Sequence, residues 1–351
     1  MFARIRRDVF SRRAVLGLGL LAGLLGAPPH ARAEAQDKGA FLKGKTVRFY
    51  VGFSPGGGYD LYARMLAPRF ERLTGATVIV ENRPGGGGLT ALNQLVRDKP
   101  DGLSMMMLNG ESAVLSQLTN QPGVAFDMEK VSIYGRVALE QHLFLVRPGF
   151  AGTLGEIASS GRKIKFAATG RVDNMGDYAA ITCEALGLNC QIITGYKGSK
   201  EAALAVMNGE VDALTISDGS GVEYSEGGRT RAIACIGRER SKLRADLPTL
   251  YESFPFSASR KWWLDFRLAI KEFGRVVVGP PDLPAEKLAY LRGVWREILT
   301  SPEVIAEGEK TQRPIQYEAP AKLSQTVHEL LRSLPPEKLR DVNEVLFKKF
   351  L

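Results

Sequence analysis

Between Thr46 and Arg97 a strand, a glycine block and a helix follow one another twice. The first copy reads TVRFYVGFSPGGGYDLYARMLAPRF and the second ATVIVENRPGGGGLTALNQLVR. In each, an apolar run of strand-forming residues (Val47–Phe53, then Val78–Val80) leads into a proline and a block of glycines, and apolar residues at helical spacing follow. Two such units in tandem predict neighbouring parallel strands whose loops open in the same direction. Glycine has no Cβ, so a ligand can come close to the backbone there. The first N–H groups of a helix are unpaired and carry the positive end of its dipole, so loops of this kind attract anions. The pattern predicts a receptor for an anion, with a carboxylate as one candidate.

The alternation continues along the chain. Strands and helices are expected at Thr46–Phe53, Asp60–Leu73, Thr77–Glu81, Leu89–Arg97 and Leu103–Leu108, with the turn KPDG (Lys99–Gly102) before the last. Asn109 to Ser112 would form a third loop at the carboxyl ends of these strands, where ligands bind in open α/β sheets. That makes Asn109 a candidate contact. HLFLVR (His142–Arg147) is a further strand, ended by Pro148-Gly149. A second alternating set spans Ile164–Thr169, Met175–Leu186, Gln191–Thr194, Lys200–Asn208, Ala213–Ser217 and Arg231–Ile236. RVVVG (Arg275–Gly279) reads as a strand, and Ala285–Leu299 and Leu323–Leu331 as amphipathic helices. The expected architecture is α/β with two lobes and a cleft between them. Residues 34–141 would form the first lobe and 142–270 the second. Residues 271–351 would supply a return strand and C-terminal helices that complete the first.

The N-terminus predicts export. A basic stretch, MFARIRRDVFSRR, precedes an uncharged run from Ala14 to Ala27, and Ala31-Arg32-Ala33 fits a small–x–small cleavage site. Ser11-Arg12-Arg13 followed by AVLG resembles the twin-arginine signal, with Val15 and Gly17 as departures; a general secretory signal is the other reading. The uncharged run is shorter than the ~20 residues that span a bilayer. Residues 1–33 are therefore expected to be a signal peptide cleaved near Ala33, and the mature chain to be a periplasmic protein if the cell is Gram-negative. The leader holds arginines 4, 6, 7, 12, 13 and 32 against Asp8, so its removal lowers the net charge from +9 to +4. A charge that small, spread along the chain, gives no case for nucleic acid. The three cysteines form no metal-binding spacing. Cys183 and Cys190 fit either a disulfide across a helix–strand junction or two buried thiols, and Cys235 reads as core.

Several motifs together resemble the extracytoplasmic solute receptors of tripartite tricarboxylate transporters, the Bug or TctC-like family. They are SPGGGYDLYAR (Ser54–Arg64), VENRPGGGG (Val80–Gly88), KPDG before a strand, GYKGSKEAALAVMNGEVDAL (Gly195–Leu214) and RAIACIGRERSKLRADLPTLYE (Arg231–Glu252). The likeness runs from about Val47 to Glu252. It implies a Venus-flytrap fold, a small carboxylated ligand between the lobes, and delivery to a membrane permease by a monomer that needs no cofactor. The ligand class would take in mono- and dicarboxylates, aromatic acids and acidic amino acids. It also implies that the two glycine loops hold one carboxylate of the ligand. Residue by residue, that points to Ser54, Gly56, Gly57, Gly58 and Asp60, and to Asn82, Gly86, Gly87 and Gly88. VDNMGDY (Val172–Tyr178) and the stretch from Phe254 to Gly274 depart from the family's usual pattern.

Other site residues carry two readings each. Asp60 either contacts ligand, or caps the following helix and orients loop amides, because a bare carboxylate repels an anionic ligand. Arg171, just after a strand, is either a two-point carboxylate clamp or a solvated arginine. Thr169 and Asn174 either donate to ligand or cap the next helix. Tyr196 either walls the cleft or packs between lobes, and Ser217 and Asp218 share that ambiguity. Trp262 and Trp263 read as core or hinge packing. His142 and His328 have no evident partner, so a satisfied structural role is expected for both.

Two enzyme classes compete with the receptor. Gly86 to Ala91 fits G-x-G-x-x-A with Glu111 about 20 residues on, the pattern of an exported nucleotide-dependent oxidoreductase. That leaves the first glycine loop unexplained. Hydrolase chemistry lacks a G-x-S-x-G elbow; Gly219-Ser220-Gly221 is only a fragment of one. An orphan or sensory binding protein of the same fold is the remaining alternative.

Overall fold

The computed structural model describes residues 38–351; the predicted signal peptide lies outside the described residues. The strands are β1 (Thr46–Val51), β2 (Thr77–Asn82), β3 (Ser104–Asn109), β4 (Ser132–Ala138), β5 (His142–Val146), β6 (Ile164–Ala168), β7 (Cys190–Thr194), β8 (Ala213–Ser217), β9 (Arg231–Ile236) and β10 (Arg275–Gly279). In the first half, the helices are α1 (Gly58–Thr74), α2 (Leu89–Leu95), α3 (Gly110–Leu118), α4 (Leu154–Ser160) and α5 (Gly176–Leu186). In the second half they are α6 (Ser199–Met207), α7 (Asp218–Ser225), α8 (Leu250–Ser253), α9 (Ala258–Lys271), α10 (Ala285–Thr300), α11 (Pro302–Lys310), α12 (Pro320–Leu330) and α13 (Pro336–Glu344).

Among the described residues ten strands form two sheets of the same plan. The first is ordered β2-β1-β3-β10-β4 and the second β7-β6-β8-β5-β9. β1, β2 and β3 are parallel, as are β6, β7 and β8. In each sheet the fourth strand runs antiparallel to its neighbours. These are the two α/β lobes expected from the alternation.

Side-chain alternation explains why both faces of the first sheet are covered. Val47, Phe49, Val51, Met105 and Met107 face one apolar cluster, with α1 and α10. Tyr50, Met106 and Leu108 face the other, with α2 and α3. Trp295 of α10, fully buried, packs on Phe49 and Phe70 with ring centres 5.7 and 5.5 Å away. A helix from the C-terminal region thus closes the first lobe. In the second sheet β5 and β8 are buried along their whole length, and Phe144 meets Phe166 at 5.2 Å. Trp262 stacks on Phe266 at 5.3 Å within α9, a packing role.

The chain passes between sheets twice in the crossover region. It leaves β4 for β5 through 139–141 and returns from α9 to β10 through 272–274. Because β10 is antiparallel to β3, its first residue sits at the carboxyl edge of the sheet, where Arg275 is in register with Asn109. By the same logic His142, the first residue of β5, is in register with Ser217 at the end of β8. The antiparallel strand is the element that delivers its amino end to the ligand-binding edge.

The C-terminal end departs from the expected division. α12 packs on β4 of the first lobe, but the single π-turn Val345–Lys349 packs on α5 of the second. Ile192 N donates to Phe350 O at 2.9 Å. The reason is an edge: β7 ends the second sheet with unpaired backbone groups, and the tail satisfies one of them.

Cys183 in α5 and Cys190 in β7 form a disulfide across a separation of 7 residues. Cys235 is a buried free thiol whose ionisation burial pushes up to about 12. Loop-closure entropy assigns so short a bridge about 2–3 kcal/mol of stability. Cys183→Ser, or reduction of the native protein, should lower the unfolding free energy by that amount, read as a fall in the urea midpoint. An unchanged midpoint would mean the helix–strand junction is held without the bridge.

Candidate functional site

The first glycine loop is organised from within. Asp60 Oδ2 accepts from Gly56 N at 2.9 Å, and Arg64 Nε donates to the same carboxylate at 3.0 Å. Asn82 Nδ2 donates to Phe53 O and to Asp60 Oδ1, both at 2.9 Å. Burial alone would raise the Asp60 carboxyl, but the bonds from Arg64, Gly56 and Asn82 outweigh it and hold it below its usual value. The polar groups of Asp60 and Asn82 are therefore spent on shaping the loop rather than aimed at the cleft.

The glycines serve a purpose the sequence did not reveal: they let one lobe's backbone reach the other's. Ser54 N donates to Lys197 O across the cleft at 2.8 Å. A Cβ added at Gly57 would lie 2.9 Å from Ser199 Oγ. In the second loop Gly86, Gly87 and Gly88 all have positive φ. A Cβ at Gly87 would meet Asp173 Cβ at 3.1 Å and Val172 O at 3.3 Å, and one at Gly170 would meet Gly87 N at 3.1 Å. Glycine therefore faces glycine along the seam.

Behind this seam lies a cavity of about 40 Å³ between the carboxyl edges of the two sheets. Gly57, Gly58, Asn109, Asn174 and Ser217 line it, as candidates from both lobes. Gly87, Gly88 and Asn109 border a neighbouring void of about 10 Å³. Asn109 also caps α3, accepting from Ser112 N at 3.2 Å. Ser112 Oγ in turn donates to Asn174 Oδ1 at 3.1 Å, a bond between lobes.

Four other candidates are turned elsewhere. Arg171 Nη1 donates to Phe350 O at 3.3 Å, so the returning tail holds one nitrogen of its guanidinium. Thr169 Oγ1 donates to the Asp173 carboxylate. Tyr196 is half-buried against the core of the second lobe and does not line the cavity. Asp218 accepts from Ser241 Oγ at 2.6 Å and from Gly219 N at 3.0 Å.

Of the cavity residues that escaped the sequence reading, two begin a crossover strand. Arg275 stacks its guanidinium 3.8 Å from the centre of the Tyr59 ring, donates from Nε to Glu140 and reaches Ser217 Oγ from Nη2 at 3.2 Å. Its Nη1 has no partner among the described residues. His142 stacks on Tyr178 at 4.0 Å, and among the described residues neither ring nitrogen is hydrogen-bonded, contrary to the satisfied role expected for it. Burial, then the charges of Arg267, Lys271 and Arg275, drive its ionisation well below the usual imidazole value, so the ring is neutral. The available signal was a polar residue leading each of two otherwise apolar runs, HLFLV and RVVVG.

A second buried cluster ties the lobes together beside the cavity. From α9, Arg267 donates from Nη1 to Glu111 Oε2 at 2.9 Å, from Nε to Asp177 Oδ1 at 2.6 Å and from Nη2 to Asn174 Oδ1 at 3.1 Å. Its guanidinium lies 3.8 Å over the Tyr178 ring. Glu111 is consumed here and is not placed as a ribose-binding acid. His328, on the surface, pairs with Glu129 at 2.8 Å.

This architecture has a family. The model of the tripartite tricarboxylate transporter family receptor matches residues 62–288, and the chain belongs to that family of solute-binding receptors. Among its relatives is protein BugT of Bordetella pertussis, 23% identical over 263 residues that cover 71% of this chain and 76% of BugT. MatC of Rhodopseudomonas palustris, solved with bound malate, superposes with a TM-score of 0.69 at 22% identity, covering 85% of this chain and 98% of MatC. An R. palustris protein solved with adipate gives 0.70 at 18% identity, covering 86% of this chain and 97% of its own. The likeness to both structures is one of fold.

Burial pushes the Asp177 carboxyl up to about 7 from 3.8, against the pull of Arg267. Its Oδ2 has no partner among the described residues. The folded state thus holds this proton more tightly than the unfolded chain does. The resulting stability is complete below about pH 4 and is lost as pH rises through about 7. Wild type should lose stability relative to Asp177→Asn over that window in urea titrations. A pH-independent difference would show that Arg267 keeps Asp177 ionised throughout.

Proposed function

We propose that this chain captures a small carboxylate in the cavity between its lobes and delivers it to the membrane permease of a tripartite tricarboxylate-type transporter. The observation that carries this reading is the interlobe cavity with a buried guanidinium in its wall. The signal-like leader supports a periplasmic location, and the malate and adipate seen in structures of the same fold support a carboxylate ligand.

Binding, not bond chemistry, is the mechanism. With the lobes apart, the loop at Gly57 and Gly58 and the end of β3 are open to solvent. A carboxylate docks there, and the second lobe then brings Asn174, Ser199 and Ser217 over it. Contacts made only on closure, such as Ser54 N to Lys197 O and Ser112 to Asn174, are what a bound ligand stabilises. Exclusion of water strengthens charge-assisted hydrogen bonds in the closed site. No cofactor is needed, and a monomer suffices because both halves of the site come from one chain.

The test is mass spectrometry of small molecules released from the freshly purified mature protein, followed by thermal unfolding with mono- and dicarboxylates. A ligand at a hundredfold excess over Kd should add about 2.7 kcal/mol to stability. Gly57→Val and Gly87→Val should fold but lose this stabilisation, because each side chain blocks the seam. If no acid is released and none stabilises the protein, the carboxylate reading is wrong.

A further inference from the structure

The residues that begin the two crossover strands narrow the ligand class, on the reading that this is a carboxylate receptor. Among the described residues Arg275 is the one cation lining the cavity and Asp173 the one carboxylate. Arg275 is 5% exposed and pinned in place by Glu140, Ser217 and the Tyr59 ring. Its Nη1 is buried without a partner among the described residues, which leaves a fixed donor in want of an acceptor. His142, on the opposite lobe and 1% exposed, offers a neutral imidazole with one N–H and one lone pair, neither of them engaged. A hydroxyl oxygen satisfies either nitrogen, and a carbonyl oxygen satisfies the N–H.

The charge of the lining selects among the acids. A second carboxylate on the ligand would find no second cation in the lining and would approach Asp173. Glu140 already shares Arg275, so one anionic group is what the guanidinium and the loop amides can neutralise. Gly58 completes the fit: a Cβ there would stand 3.2 Å from Arg275 Nη2 and 3.3 Å from Ser220 Oγ, tighter than most such contacts, so glycine eases the approach of the guanidinium and the second lobe.

We propose that the ligand is a monocarboxylate with a hydroxyl or oxo group beside the carboxyl, its carboxylate read by Arg275 and its second oxygen by His142. Arg275 and His142 are then the residues that set specificity, and dicarboxylates of the malate and adipate kind are disfavoured.

The test is calorimetric titration of the mature protein, stripped of ligand by unfolding and refolding, with glycolate, lactate, pyruvate, propionate, alanine, malate and adipate. One of glycolate, lactate or pyruvate should bind at least about tenfold more tightly than propionate, alanine, malate or adipate, as a site built to hydrogen-bond an oxygen discriminates. Arg275→Gln should weaken that binding about a hundredfold, the loss typical of removing one buried charged partner. If that variant unfolds, the Arg275→Gln/Glu140→Gln pair keeps the site neutral and should show the same loss. His142→Phe should erase the advantage of lactate over propionate. Tighter binding of malate or adipate would overturn this inference while leaving the carboxylate receptor intact. Tighter binding of alanine would overturn it by assigning Asp173 to an ammonium. Affinity unchanged in the arginine variants would remove Arg275 from the site. Failure of every acid would remove the receptor reading itself.

Discussion

Each sheet of this protein is finished by a strand that arrives from the other. That exchange is the constraint on which the rest depends. In a sheet of parallel strands every carboxyl end points to one edge, and the loops there are the natural ligand-binding surface. An antiparallel strand set among them is the one kind that places its amino end at that edge. Strand β10 does so with Arg275 and β5 with His142, in register with Asn109 and Ser217. The lobes cannot be completed without the crossings, and the crossings cannot be made without bringing these two residues face to face with the cleft.

The interior beside the cleft is unusually rich in charge for a place so well shielded. Arg267, Arg275, Glu111 and Asp177 are all nearly inaccessible. Desolvation makes such groups costly, and their mutual attraction repays the cost only when the hydrogen bonds are complete. Arg267 is well served, with three partners and an aromatic face beneath it. Arg275 is not, since one of its nitrogens lacks an acceptor among the described residues. The first arrangement is that of a structural fastening and the second that of a site awaiting a partner. Removing Arg267 would strand Glu111 and Asp177, a loss of about 3–5 kcal/mol by the usual cost of breaking a buried pair.

Much of this was legible in the sequence. The repeated strand–glycine–helix units announced parallel sheets, and their order announced the family. Asp60 was readable as an organiser of loop amides, because a carboxylate next to an anionic ligand is unfavourable. What escaped was whatever depends on pairing between distant segments. Arg275 looked like the edge of an apolar strand until β10 was inserted beside β3. Arg171 could be read as a clamp or as a solvated arginine, and nothing local showed that Phe350 returns to accept from it. The glycines were assigned to ligand approach, whereas Gly57 and Gly87 also stand where two backbones meet, a fact visible only with both lobes in place.

The tail adds a mechanical consequence. Two chain crossings alone act like a pair of pins, and two bodies joined by two pins can swing about the line between them. Here α12 lies on the first lobe while the last turn is bonded to β7 of the second, so the segment between them is a third tie set away from that line. A door with a strap as well as hinges opens only as far as the strap allows. The span from Leu331 to Glu344 therefore joins the two lobes a third time, beside the two crossovers.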